Sequence, residues 1–227
     1  LLHHAGISWT LSSDAFEATN SGIQIGDGDV ARELLQRVFD VAEKLGVKNI
    51  ISPECGHAYT AIRWESAGLM GKEIPYRIIH IVELLDELKR AGRLPTKGRS
   101  SLKVTFHDPC NLVRKGGVVE QPRRLLGSVA ENFVEGQDCG TMNWCCGGGG
   151  GVSANERADE LRLKAFRRKK DQFESLGVDA VVTACANCRN ILEEGIEHYD
   201  MDVEVLGLTE LLAEYLDTDG SNEASDR

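Results

Sequence analysis

No run of about 18 apolar residues occurs anywhere in this 227-residue chain, so the sequence itself offers no membrane span. No basic segment followed by an apolar stretch opens it, which argues against secretion by this segment. A basic stripe is missing too. With a net charge of −10 the chain lacks what would neutralise phosphates, which disfavours nucleic acid as a partner. The first residues, Leu1-Leu2-His3-His4, include no methionine, as expected for a processed chain or a piece of something longer. What remains is a 41% hydrophobic composition with bulk enough for a core of one large domain or two ordinary ones.

Seven cysteines in such a chain read as metal ligands or redox groups rather than as a disulfide framework, and the odd count agrees. Five of them form one pattern: Cys110, then 34 residues, then Cys145-Cys146, then 38 residues, then Cys185-Ala186-Asn187-Cys188. Thiolate sulfur selects iron–sulfur clusters, zinc or copper(I) over hard cations. Structural zinc takes four ligands, usually from two short hooks. Here only one Cys-x-x-Cys hook exists, and adjacent cysteines fit poorly on a single tetrahedral ion. A cluster accepts a spread ligand set more readily. The compact Cys-x2-Cys-x2-Cys run of ferredoxin cubanes is absent, so a cluster with more than four thiolates fits better. A zinc module that binds a partner stays open on the residues alone.

A worn internal repeat organises the chain. In each half a helical stretch runs into Leu-Gly-Val, at Leu45-Gly46-Val47 and Leu176-Gly177-Val178, with glycine placed to close a helix. Short apolar runs follow, 48–52 and 179–183, each suited to a strand buried on both faces. Both lead to cysteine, in Glu54-Cys55-Gly56-His57 and in Cys185-Ala186-Asn187-Cys188. Further strands are expected at 76–80 and 203–206, before helices opening Glu-Leu-Leu, and another at 102–107 before Asp108-Pro109-Cys110. That order predicts an α/β fold with right-handed crossovers and parallel sheets. Residues 92–101 read as a linker, giving a first unit over 1–98 and a second over 99–216. Residues 217–227, acidic and poor in large apolar groups, read as a disordered tail. Ligands in open α/β sheets sit beyond the carboxyl ends of strands, where Cys110 and Cys185 both fall.

Five glycines, Gly147 to Gly151, follow the cysteine pair. Such loops often cradle phosphate, but there is no Gly-Lys-Ser/Thr and no acidic partner at dinucleotide spacing. Missing side chains instead let the backbone approach inorganic sulfur. Ser153 or Asn155 would cap the helix expected through 157–175.

The spacing Cys-x34-Cys-Cys-Gly-x37-Cys-x2-Cys, with His107-Asp108-Pro109-Cys110 and Cys145-Cys146-Gly147-Gly148-Gly149, resembles the CCG domain of heterodisulfide reductase catalytic subunits and their relatives. Members usually carry two such domains in tandem, so the resemblance implies two pseudo-symmetric Rossmann-like repeats, the first degenerate. An ungapped alignment on the Leu-Gly-Val marks puts Glu54 opposite Cys185 and His57 opposite Cys188. That Glu-Cys-Gly-His motif, with Trp9-Thr10-Leu11-Ser12-Ser13 before it, most resembles the DsrK subunits of the membrane complex DsrMKJOP, associated with dissimilatory sulfite reductase. The resemblance implies a noncubane [4Fe-4S] cluster on Cys110, Cys145, Cys146, Cys185 and Cys188. It further implies ferredoxin-type [4Fe-4S] domains upstream or on a partner, and a quinone-interacting membrane subunit. The substrate would be a small DsrC-like sulfur-carrier protein, and the site cytoplasmic, peripheral to the inner face of the membrane.

A thiol–disulfide oxidoreductase is the function so implied, with a disulfide or trisulfide on the carrier as its substrate. An electron-relay subunit of a quinone-linked oxidoreductase of glycolate or lactate type is the alternative. Cys55 and His57, placed across the sheet from the cluster by the pseudo-symmetry, are the candidate catalytic residues: His57 as proton donor and Cys55 to stabilise a sulfur intermediate. Cys139 reads as a structural thiol, His107 as orienting the Asp-Pro-Cys turn, His80 as core, and Trp144 as a shield over the cluster.

Overall fold

The computed structural model describes residues 1–15 and 20–218. Of the expected tail, residues 219–227 lie outside them. Asp217 is tied down, its amide donating to the Pro95 carbonyl at 2.9 Å.

In the first half a short α1 (Ser21–Ile25) leads to α2 (Gly28–Lys44). The Asp27 side chain starts α2 by accepting from the amides of Asp29 and Val30. Ala31, Leu35, Phe39 and Ala42 form its buried stripe, and Gly46 follows in the left-handed conformation at φ 64°. β1 (Asn49–Ser52) and β2 (Arg77–His80) then pair in parallel, Ser52 opposite His80. The crossover between them is one long helical stretch: α3 (Gly56–Thr60), a π-helical turn (Ala61–Glu65) and α4 (Ser66–Met70). α5 (Ile81–Arg90) follows β2 directly.

The second half supplies β3 (Ser100–His107), a π-helical turn (Asn111–Lys115), α6 (Glu120–Val129) and β4 (Ala130–Phe133). After the cysteine and glycine segment come α7 (Asp159–Leu176), β5 (Ala180–Thr183), α8 (Ala186–His198), β6 (Glu204–Gly207) and α9 (Leu208–Glu214). All neighbours are parallel in the order β4-β3-β5-β6. The α/β class with parallel sheets is therefore as expected. β4 was not foreseen. Its Ala-Glu-Asn-Phe sequence is half exposed at a sheet edge and carries no β-branched residue.

The strand order fixes where the chemistry sits. From β3 the chain runs outward to β4, returns past β3 to β5, and continues the other way to β6. The topological switch thus lies between β3 and β5, the place where open α/β sheets leave a crevice. His107 and Thr183 end those strands in register, and the Thr183 hydroxyl donates to the His107 carbonyl at 3.2 Å.

The two halves share a core. Its largest apolar cluster joins Tyr59, Val82, Leu85 and Leu88 to Val104, Leu112, Leu125 and Leu208. The segment expected as a linker is part of this body: Leu94 is fully buried in the cluster, Thr96 bridges Leu216, and Ser100 and Ser101 already belong to β3. No helix among the described residues is long and apolar enough to cross a membrane.

Candidate metal centre

Three segments deliver five sulfurs to the switch point. Cys110 begins the π-helical turn after β3, and Cys185 is the N-cap of α8 after β5. Cys188 sits in the first turn of α8, and Cys145-Cys146 enter on the loop before α7. Cys146, Cys185 and Cys188 are buried while Cys110 and Cys145 are half-buried. The sulfurs contact one another in a chain. Cys110 and Cys145 are hydrogen-bonded, as are Cys145 and Cys146, Cys146 and Cys188 at 3.3 Å, and Cys188 and Cys185.

Crowding decides the charge of these groups. Hydrogen bonds from the Cys110 and Cys146 thiols, with the Gly147 amide adding another at 3.3 Å, hold the Cys145 sulfur far below the ordinary thiol range. Its donors Cys110 and Cys146 are pushed up in consequence. The Cys188 thiol, then the amides of Cys188, Gly56 and Asn187, bring Cys185 down to about 6, against its burial. Five sulfurs this close repel one another as thiolates, so all five can be ionised together only around a cation. A metal centre with several positive ions supplies it, so the donor set fits an iron–sulfur cluster.

The glycine run works by close approach and by backbone shape. A Cβ on Gly148 would lie 2.4 Å from the Ile191 side chain, and Gly147, Gly150 and Gly151 have φ of 97°, 65° and 79°. Asn155 caps the short turn that leads into α7 by accepting from the Arg157 amide at 3.2 Å. Arg162, 6% exposed, joins Asp159 and Glu194 and also reaches the Val152 carbonyl, which fastens the loop to α7 and α8.

Before Cys110, Asp108 is buried. Its carboxylate takes both Arg123 nitrogens at 2.9 and 2.8 Å and the Gly140 amide at 2.6 Å, and its carbonyl accepts from the Asn143 side chain. One carboxylate thus ties the Asp-Pro-Cys turn to the loop carrying Cys145. The sequence shows Asp108 in its motif but gives no role for it, and Arg162 and Lys169 do not stand out in it as buried groups. Arg162, Phe166, Lys169 and Phe173 are the buried residues of α7, and their spacing of four, three and four is the signal that could have found the two cations.

The Glu-Cys-Gly-His motif lies beside the cysteines, not across a sheet from them. His57 and Gly56 line the same cleft as Cys110, Cys146, Cys185, Cys188 and Gly149. Gly56 makes this possible, since a Cβ there would be 2.6 Å from the Leu112 amide nitrogen. The Ala186 amide donates to the Glu54 carbonyl at 2.9 Å, and the Thr209 amide to the Glu54 carboxylate at 3.3 Å. Burial raises the Glu54 carboxyl above its usual range, against those Thr209 hydrogen bonds.

The ungapped alignment is corrected as well. Cys55 caps α3 at φ −145°, ψ 103°, and Cys185 caps α8 at φ −150°, ψ 116°, so Cys55 is the counterpart of Cys185 and Glu54 is one residue early. The cause is one extra residue between β1 and its cap. The Cys55 sulfur accepts the Ala58 amide at 3.4 Å and is not among the groups lining the cleft. His57 is lowered by burial and then by Lys115.

Cys139 is half-buried with its thiol raised by burial and by Glu135. Trp144 lies against α7, donating to the Ala165 carbonyl with Arg168 over its ring, and does not line the cleft. His80 is core, as expected, and also caps α5 by accepting the Val82 amide at 3.2 Å.

The cysteine-rich domain family CCG matches residues 104–193. The chain is homologous to heterodisulfide reductase proteins of the D type. Over 194 residues it is 33% identical to the D-type component of the dihydromethanophenazine:CoB–CoM heterodisulfide reductase of Methanosarcina barkeri, covering 85% of this chain and 47% of that protein. It is 29% identical to the EtfAB:quinone oxidoreductase of Syntrophomonas wolfei (87% of this chain, 28% of that one). With the Hdr-like menaquinol oxidoreductase iron–sulfur subunit 2 of Archaeoglobus fulgidus it shares 28% (93% and 45%). The chain spans about half the length of the heterodisulfide reductase proteins it matches, and less of the quinone oxidoreductase. The family match spans all five clustered cysteines, so the comparison and the sulfur geometry fall on the same part of the chain.

Proposed function

We propose that Cys110, Cys145, Cys146, Cys185 and Cys188 together hold a noncubane [4Fe-4S] cluster. On it the protein would interconvert thiols with a disulfide or trisulfide on a small sulfur-carrier protein, DsrC-like in kind. The observation that carries this reading is the convergence of five sulfurs, from three separate segments, at the β3–β5 switch, where all but Cys145 line one cleft.

The cluster would supply single electrons and an iron site open to sulfur. Reducing a disulfide takes two electrons and two protons and yields two thiols, so the protein must also manage protons. His57 is placed for that at the cleft wall: its Nε2 would be 3.4 Å from a Cβ built on Gly149, so the ring lies over the glycine loop. Its role is to donate a proton to the leaving sulfur. Cys55 acts by fixing the start of α3 beneath His57. The Gly56 and Gly147 amides stabilise anionic sulfur on Cys185 and Cys145. The first repeat, on this reading, has become a wall of the second repeat's site.

The relatives named as quinone and menaquinol oxidoreductases favour a second reading, an electron-relay subunit of a quinone-linked complex. On either reading ferredoxin-type clusters and a quinone-interacting membrane subunit complete the assembly, which lies against the inner face of the cytoplasmic membrane. Electron paramagnetic resonance of the anaerobic protein during titration with a thiol substrate separates the two. Catalysis requires a new signal as sulfur binds, and relay predicts an unchanged one. With His57→Gln, turnover falls at least tenfold while iron content holds; unchanged turnover would remove His57 from the mechanism.

A further inference from the structure

His107 stands beside the sulfurs of Cys146 and Cys188, buried and not among the groups that line the cleft. It is 1% exposed, and its backbone is fixed at the end of β3 by the pairing with Thr183. Neither ring nitrogen has a hydrogen-bond partner among the described residues. An unsatisfied buried polar group costs roughly 1–3 kcal/mol, so an imidazole left in such a place calls for a partner. The geometry names one. A His107 ring nitrogen and the sulfurs of Cys146 and Cys188 all lie within 4.8 Å of one another.

Resting on the cluster reading above, we propose that His107 donates a ring N–H to the sulfurs at the Cys146–Cys188 side of the cluster and thereby raises its reduction potential. Hydrogen bonds to cluster sulfur stabilise the more negative, reduced state. Direct coordination is the competing use of the same ring. Five thiolates already serve the centre, and they leave the N–H as the group in want of an acceptor. Lys169 extends the arrangement. It is 2% exposed on α7, its ammonium donates to Gln172 at 3.1 Å, and it lies near enough to His107, Cys146 and Cys188 to act on their charge. Burial lowers Lys169, with Asp138, Asp108 and the sulfurs of Cys146 and Cys188 opposing it, and the positive charge they favour acts on the reduced cluster in the same sense. His107 is thus a positioning residue that acts on the metal from inside the fold, separate from His57 at the open face.

The test uses the anaerobically purified, iron-loaded protein with 15N-labelled histidine, reduced to its paramagnetic state. Pulsed paramagnetic resonance should show a weak nitrogen coupling that disappears in His107→Leu, with the midpoint potential falling. His107→Gln, which keeps an N–H, should bring the potential back most of the way at unchanged iron content. A strong coupling of a directly bound nitrogen in the wild type would overturn the donor role, as would no coupling at all. If His107→Leu fails to hold iron, the coupling recorded in His57→Gln, which removes the other histidine near the sulfurs, still decides. A protein without iron and sulfide would sink the cluster reading itself, an outcome distinct from an iron-loaded protein lacking the coupling.

Discussion

Gly148 and Gly149 are adjacent in sequence and meet different things in space. A Cβ on Gly148 falls 2.4 Å from Ile191, deep in the packing behind Cys146 and Cys188, whereas one on Gly149 makes ordinary contact with the His57 ring at 3.4 and 3.6 Å. Gly148→Ala should therefore cost about 1–3 kcal/mol by overpacking and lower the iron bound per chain. Gly149→Ala should leave stability within about 0.5 kcal/mol and lower turnover by crowding His57. Urea unfolding and iron analysis of the two variants check this, and equal behaviour would contradict the placement of the loop. Asp108→Asn leaves the half-buried Arg123 without its bidentate partner and loosens the loop carrying Cys145; the expected loss is about 3 kcal/mol. At this scale the five cysteines that the fold brings together were legible because their spacing is unusual. Lys169 was not, because it lies in the run Arg167-Arg168-Lys169-Lys170, where only the helix face tells inside from outside.

Each element ends in a cap, and the caps record the repeat more faithfully than the sequence does. Cys55 and Cys185 start α3 and α8 with nearly the same backbone angles; His80 (φ −76°, ψ 146°) and Gly207 (φ −77°, ψ 136°) do so for α5 and α9. The Leu-Gly-Val marks were readable because Gly46 and Gly177 need the left-handed conformation. The extra residue before Cys55 was not, since nothing local distinguishes an insertion from a substitution. Glu54 reaches from this cap to the start of α9, so Glu54→Ala should cost about 1 kcal/mol in urea denaturation while Glu54→Gln, still an acceptor, costs less.

His80 makes its element sensitive to acid. Burial lowers its ring from 6.5 to about 3, so the unfolded chain takes up a proton that the folded one refuses. Stability is fully present above pH 6.5 and is lost as pH falls toward 3, by about 1.4 kcal/mol per pH unit. His80→Asn keeps a cap acceptor and should make the dependence of the urea midpoint between pH 6.5 and 4.5 shallower without abolishing it, because burial lowers His107 in the same way. An equally steep dependence in the variant would locate the acid sensitivity elsewhere.

For the whole molecule, the fold class and the gathering of the cysteines could be read in advance because each rests on a local pattern. The joint between the halves could not, because it depends on what packs against what. Gly56 admits the Leu112 backbone, Leu94 closes a shared core, and the first repeat ends as a wall of the second repeat's cleft. Residues 99–216 expressed alone should accordingly lack cooperative unfolding, since the faces of Val104 and Leu112 that Tyr59, Val82 and Leu85 cover would be bare. The identity of the metal is the most direct test of this chemistry. Iron and acid-labile sulfide analysis of the anaerobically purified protein, read with its visible absorption, should give a brown protein with about four of each per chain. A colourless protein holding a single zinc ion would contradict it.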